Sequence, residues 1–181
     1  MTWEFQFLYW LQSVRTDGMD WLMTRISMLG NAGWFWILLG VLLLIGVRTR
    51  RAGITVLLSL AAGAVIGNLL LKNMVMRDRP CWIDPQISLL VTSPRDFSFP
   101  SGHTLAAFES AVSILLWNKR WGMLAMIPAV LVSFSRLYLF VHFPTDVMAG
   151  AVLGTVLALF AAGLAGQMMQ EPKGQKAEKQ G

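Results

Sequence analysis

Apolar residues run almost unbroken through five segments, 33–47, 52–71, 104–117, 122–141 and 146–167, and the charged residues are swept to their ends. Several of these runs approach the roughly 20 apolar residues that a helix needs to cross a bilayer. Two stretches ahead of them differ in character. Trp3, Phe7, Trp10, Leu11 and Val14 form one apolar stripe at helical spacing, and Met19, Leu22, Met23, Ile26 and Leu29 a second. Glu4, Gln12, Arg15, Asp17, Asp20 and Arg25 interrupt them too often for a simple span. The pattern predicts interfacial helices here, with Trp3, Tyr9, Trp10 and Trp21 at headgroup level. The alternative is one irregular, partly buried crossing. A signal peptide is not expected, because a basic start and a cleavage site are both missing. The expectation is therefore an all-α, polytopic membrane bundle of five to six transmembrane helices with N-terminal interfacial helices. Residues 1–170 form one domain, and 171–181 a polar tail too hydrophilic to pack.

Composition agrees with this class. Hydrophobic residues make up 55% of the chain and charged ones 14%, against roughly 25% charged in soluble domains. The net charge of +5 does not point to nucleic acid, because the basic residues sit at span ends and in the tail. Arg48, Arg50, Arg51, Lys119, Arg120, Lys173, Lys176 and Lys179 mark one side of the membrane. Lys72, Arg77, Arg79, Arg95 and Arg136 mark the other, offset by Asp78, Asp84 and Asp96. The positive-inside rule puts the tail in the cytoplasm and the 72–100 loop outside. Gly63 and Gly67, and the row Gly150, Gly154, Ala158, Ala162 and Gly166, suit close helix packing within one protomer. Pro128 is expected to kink its span. A single cysteine, Cys81, excludes an internal disulfide and a cysteine-based zinc site.

The chemistry concentrates at the outer span ends. Residues 96–103, Asp-Phe-Ser-Phe-Pro-Ser-Gly-His, form a polar junction set against the 104–117 run. Pro100 suits a helix start; Ser101 and Gly102 offer a hydroxyl and unhindered N–H groups to an anion. His103 can give or take a proton near neutral pH. Two further clusters fall at the same depth, Lys72 with Arg79-Pro80, and Ser135-Arg136 with His142 and Asp146. Singly, each cation reads as a snorkelling anchor and each histidine as a hydrogen-bonded structural residue. Together at one depth, where unpaired cations are costly, they imply a polyanionic ligand.

These clusters resemble the signature of the type 2 phosphatidic acid phosphatase superfamily: Lys, six residues, Arg-Pro; Pro-Ser-Gly-His; then Ser-Arg, five residues, His, three residues, Asp. The match covers about 72–146 without a gap and looks like the compact bacterial lipid-phosphatase branch. Phe140 departs from it, since relatives often carry a small residue there. The resemblance implies that His142 attacks phosphorus, Asp146 holds the imidazole's other N–H, and His103 protonates the leaving oxygen and then activates water. It implies that Lys72, Arg79, Ser101, Gly102 and Arg136 bind the phosphate, with no cofactor or metal. The implied substrate is a lipid phosphate or diphosphate; undecaprenyl diphosphate is preferred over phosphatidylglycerophosphate and phosphatidate because one loop supplies few headgroup contacts. A lipid-phosphate binder or transporter is the non-enzymatic alternative. Arg77, Arg95 and Asp78 read as loop solvation and topology, Cys81 as a loop thiol, and Glu109, inside a span, stays unassigned.

Overall fold

A computed structural model of the chain describes residues 2–168; the expected tail at 171–181 lies outside them. Two short helices come first, α1 (Trp3–Ser13) and α2 (Asp17–Met28). A tight turn at Asn31–Gly33 leads into α3 (Trp34–Ile45). Next, α4 (Arg50–Gly63) widens into π-type turns over Ala64–Leu71 and closes with α5 (Lys72–Val75). The one-turn α6 (Pro80–Ile83) interrupts the following loop. Three long helices complete the bundle, α7 (Gly102–Trp117), α8 (Lys119–Tyr138) and α9 (Pro144–Met168). Among the described residues there is no strand.

Three stretches are long and apolar enough to span a membrane: Arg50–Ile83, Lys119–Tyr138 and Pro144–Met168. The N-terminal region differs from the preferred sequence reading. Asp17–Met28 and Asn31–Ile45, bent by 44° at their junction, are together long and apolar enough for one broken span or a re-entrant loop, which is the irregular alternative to an interfacial α2. Positive φ at Ala32 and Gly33 makes the bend, and Met23 and Ser27 bury one face of α2. In α1 the buried residues are Glu4, Leu8 and Leu11, while Trp3 and Trp10 are more than half exposed. Its Leu8 and Leu11 pack on Tyr138, Leu139, Phe140, Val141 and Phe143, the turn between α8 and α9. Exposed tryptophans and a buried leucine face suit a helix lying along the bilayer surface.

Helix α7 is central and packs against α4, α8 and α9. Glycine sets its approach to α9: a Cβ at Gly150 would stand 2.8 Å from the Ser101 carbonyl oxygen, and one at Gly154 2.7 Å from that of Leu105. Gly150 and Gly154 of the small-residue row thus pack helices within the chain, whereas Gly166 of the same row meets nothing within 4 Å. Gly163, on the same helix, meets nothing within 4 Å. Gly154→Val should destabilise the bundle by about 1–3 kcal/mol through overpacking, and Gly163→Val should not. Thermal unfolding in detergent measures the difference.

At the end away from the 72–100 loop, the Arg51 guanidinium lies 5.5 Å from the Trp117 ring centroid. Trp117 Nε1 donates to Thr55 Oγ1 at 2.8 Å. The basic turns after α3 and α7 therefore share one end of the bundle. Pro128 lies inside α8, which stays helical across it. Cys81 is buried in α6, next to Pro80 and within the apolar cluster under α1; it is a core residue and not a loop thiol.

Candidate active site

The opposite end of the bundle gathers every predicted site residue. Lys72 follows the π-type turns of the α4 stretch, Arg79 immediately precedes α6, and Ser101 caps α7. The helix α7 begins at Gly102, so Pro100 stands one residue outside the cap and not in the first turn as expected. Arg136 lies in the last turn of α8. His142 follows the turn that Phe140 makes at φ 59°, and Asp146 lies in the first turn of α9, behind Pro144. A cavity of about 900 Å³ is lined by Lys72, Arg79, Gly102, His103, Arg136 and His142, and deeper down by Leu60, Ala64 and Glu109.

Arg79 organises the centre. Its Nε donates to the Asp96 carbonyl at 2.7 Å, its Nη2 to Asp96 Oδ1 at 2.8 Å, and its Nη1 to the Val141 carbonyl at 2.8 Å. The same Nη1 lies 3.0 Å from His142 Nε2. A guanidinium can only donate, so Nε2 carries the lone pair and Nδ1 the proton. Burial first, and then the charges of Arg79, Arg136 and Lys72, push the His142 imidazole well below its usual range. The ring is therefore neutral and ready to attack at neutral pH. Since protonating it is harder in the site than in water, the acid limb of kcat/KM should fall below pH 6.5. A limb centred at pH 6.5 or above would mean that the ring titrates as if exposed.

The proton on Nδ1 meets a relay. Ser98 Oγ lies 3.3 Å from Nδ1 and donates to Asp146 Oδ2 at 2.5 Å. The direct distance from Nδ1 to Asp146 Oδ2 is 3.6 Å, too long for a hydrogen bond. That oxygen already accepts from the Phe143 N–H at 2.9 Å, so Ser98 bridges the pair where the sequence suggests direct contact. Asp146 is fully buried.

Lys72 and Arg136 flank Arg79. Lys72 Nζ donates to Asp96 Oδ2 in a close ion pair. Asp96 thus sits between Lys72 and Arg79 although its own side chain is half exposed. Burial alone would raise its carboxyl, but Lys72 and Arg79 outweigh that and hold it at about 2. Arg136 Nη1 donates to Ser27 Oγ of α2, and its buried Nε has no partner. Arg136 lines the cavity, and a buried cation with a spare donor suits an anion site.

On the α7 side, the Ser101 N–H donates to the Asp146 carbonyl at 3.1 Å, and its hydroxyl accepts from Thr104 at 3.1 Å. Ser101 is fully buried and Gly102 meets the cavity. Asn68, on the π-type turns, closes over Gly102, where a Cβ would lie 2.7 Å from its Oδ1. His103 Nε2 is 3.0 Å from Asn31 Oδ1, in the bend between α2 and α3. Glu109 is 1% exposed, has an unpaired Oε1, and stands where Gly63 leaves room for it. Phe140 does not shape the cavity; it is buried against Phe5 and Tyr9 of α1. Among the described residues, no three His, Cys, Asp or Glu side chains converge to hold a metal ion.

Sequence reasoning missed Ser98, Asn31, Ser27, Asn68 and Arg77. Arg77 does not solvate the loop: its Nη1 donates to Asp146 Oδ1 at 2.6 Å. Its place inside the Lys72–Arg79 cluster, two residues before Arg79, was the only signal available for it.

A cationic cradle around a neutral histidine with an acid-backed Nδ1 has the chemistry that phosphoryl transfer calls for. The PAP2 superfamily model matches residues 52–168. The undecaprenyl-diphosphatase of Sulfolobus acidocaldarius is 40% identical over 141 residues, covering 77% of this chain and 68% of the relative. The crystal structure of Aquifex aeolicus LpxE superposes with a TM-score of 0.79 at 25% identity, over 90% of this chain and 96% of that one. The transmembrane PAP2-type phosphatidylglycerolphosphate phosphatase of Bacillus subtilis superposes at 0.75 with 27% identity, over 92% and 86%. The chain belongs to the PAP2 superfamily. It is an integral membrane enzyme, a lipid phosphatase.

Proposed function

We propose that this enzyme removes one phosphate from a lipid diphosphate, with undecaprenyl diphosphate the best match, through a phosphohistidine on His142. The observation that carries the reading is the His142 Nε2 lone pair, held by Arg79 at the wall of a cavity that also presents Lys72 and Arg136. In the first step Nε2 attacks the terminal phosphorus. The bond to the bridging oxygen breaks, and His103 gives that oxygen its proton. Lys72, Arg79 and Arg136, with Gly102 and the Ser101 cap, stabilise the charge growing on the three other oxygens. Ser98 and Asp146 balance the positive charge on the imidazole as its Nδ1 proton stays in place. In the second step His103 takes a proton from water, the water oxygen attacks phosphorus, the P–N bond breaks, and inorganic phosphate leaves.

Fixed cations supply the charge that a metal would supply elsewhere, so chelation should leave turnover nearly unchanged and vanadate should inhibit. Loss in chelator, restored by magnesium, would point instead to a two-metal site. The name of the Sulfolobus relative supports the diphosphate substrate, and the apolar depth of the cavity suits a long chain. A phosphatidylglycerophosphate or phosphatidate substrate is the second reading, supported by the name of the Bacillus structure. Phosphate release from purified protein across the three lipids decides: a preference for either phosphomonoester would overturn the diphosphate assignment. The site is assigned to the extracytoplasmic side and the tail to the cytoplasm, from the basic turns at the other end of the bundle. Reporter fusions after Trp82 and after Met169 should respond oppositely.

A further inference from the structure

Resting on the His142 reading above, we infer that Arg77, anchored by Glu4 of α1, is a positioning residue that holds Asp146 in register with His142. Arg77 reaches Asp146 by two routes. Its guanidinium Nη1 donates to Asp146 Oδ1 at 2.6 Å and to Thr145 Oγ1 at 2.6 Å. Its backbone carbonyl accepts the Ser98 N–H at 2.8 Å, and Ser98 donates to the other oxygen, Oδ2. One residue thus fixes both edges of a carboxylate that is fully buried. A buried carboxylate is costly without such pairing.

Glu4 holds the far end. Its Oε2 accepts from Arg77 Nη2 at 2.6 Å, and its Oε1 from the Thr145 N–H at 3.2 Å and Thr145 Oγ1 at 2.7 Å. The guanidinium carbon also lies 4.1 Å from the Phe143 ring centroid, so Arg77 is clamped on its face as well as at its edges. A charge placed only to set topology needs none of these partners. The N-terminal helix, whose outer face carries Trp3 and Trp10, is through Glu4 part of the catalytic framework.

The test compares Arg77→Gln, Arg77→Lys, Glu4→Gln and Asp146→Asn, with the Arg77→Gln/Asp146→Asn double variant, in the full-length protein in detergent. Arg77→Gln should lower kcat about a hundredfold, the cost of misplacing a reacting group by about 1 Å, while KM changes little because the phosphate cradle is intact. Losing a nearby cation lets the His142 imidazole protonate more readily, so the acid limb of kcat/KM should move to higher pH. Arg77→Lys should recover part of the rate, and Glu4→Gln, which removes the anchor and leaves the cation, should lower kcat by a smaller factor with KM little changed. Adding Arg77→Gln to Asp146→Asn should cost little more, since both act through one group. Wild-type kcat and pH profile in Arg77→Gln, or losses that multiply in the double variant, would overturn the proposal. If Arg77→Gln does not fold, Glu4→Gln decides, and a wild-type kcat there, or a loss carried by KM alone, overturns it. Activity surviving in His142→Ala would sink the mechanism itself; a dead His142→Ala beside a normal Arg77→Gln sinks only the positioning role.

Discussion

His142→Ala should form no phosphoenzyme and fall to background turnover, a loss on the order of 10⁶ if it behaves like other nucleophile deletions. His103→Ala should behave differently. The nucleophile, with its Arg79 and Ser98 partners, stays in place, and only the proton donor for the leaving group is gone. An aryl phosphate has a stabilised leaving group and needs less protonation, so this variant should recover part of its first step on that substrate and stay poor on a lipid ester. Rapid quench followed by acid-labile, base-stable label separates the two histidines. Label in the His142 variant, or equal losses for His103→Ala on both substrates, would show that the roles are misassigned.

Arg79→Ala ranks second in expected effect. Removing one charge-stabilising donor costs about 10²–10³ in kcat, and Arg79 does more than donate to phosphate. It fixes the Val141 carbonyl beside the nucleophile and ties down the Asp96 and Phe97 carbonyls of the 72–100 loop. Arg79→Lys should rescue little, because one ammonium cannot span those carbonyls and the imidazole at once. Phosphate release and substrate KM, measured for both variants, separate the charge from the fork. A lysine variant at wild-type rate would reduce Arg79 to a point charge.

The site was legible in the sequence where its spacing is local. Lys72 and Arg79, or Arg136, His142 and Asp146, lie within one loop or helix junction, and alternation of the spans brings the junctions to one end. Their supports were not legible. Glu4 meets Arg77 across 73 positions, His103 meets Asn31 across 72, and Ser27 meets Arg136 across 109. Such pairs leave no periodic trace in a single chain. The same limit explains α2. Its polar residues read as an interfacial helix, yet Asp20 accepts from Tyr138 and pairs with Arg15, so two of those charges are matched within the protein. The bend itself, at Ala32 with φ 50° and Gly33 with φ 67°, was not part of that reading. Phe140 misled in the other direction: its bulk suggested the substrate entrance, whereas α1 covers it.

Asp96 makes the phosphate cradle a self-occupied receptor. Its carboxylate is a tethered competitor for Lys72 and Arg79, present at an effective concentration set by a short loop and not by diffusion. With its carboxyl held at about 2, the competitor stays charged throughout the physiological range. If Lys72 and Arg79 bind phosphate as proposed, an incoming phosphate competes with this carboxylate, and measured affinities should be weaker than the cradle's intrinsic ones by the fraction of time the cradle is open. On the same reading, the returning carboxylate would favour release of inorganic phosphate after hydrolysis, trading ground-state affinity for turnover.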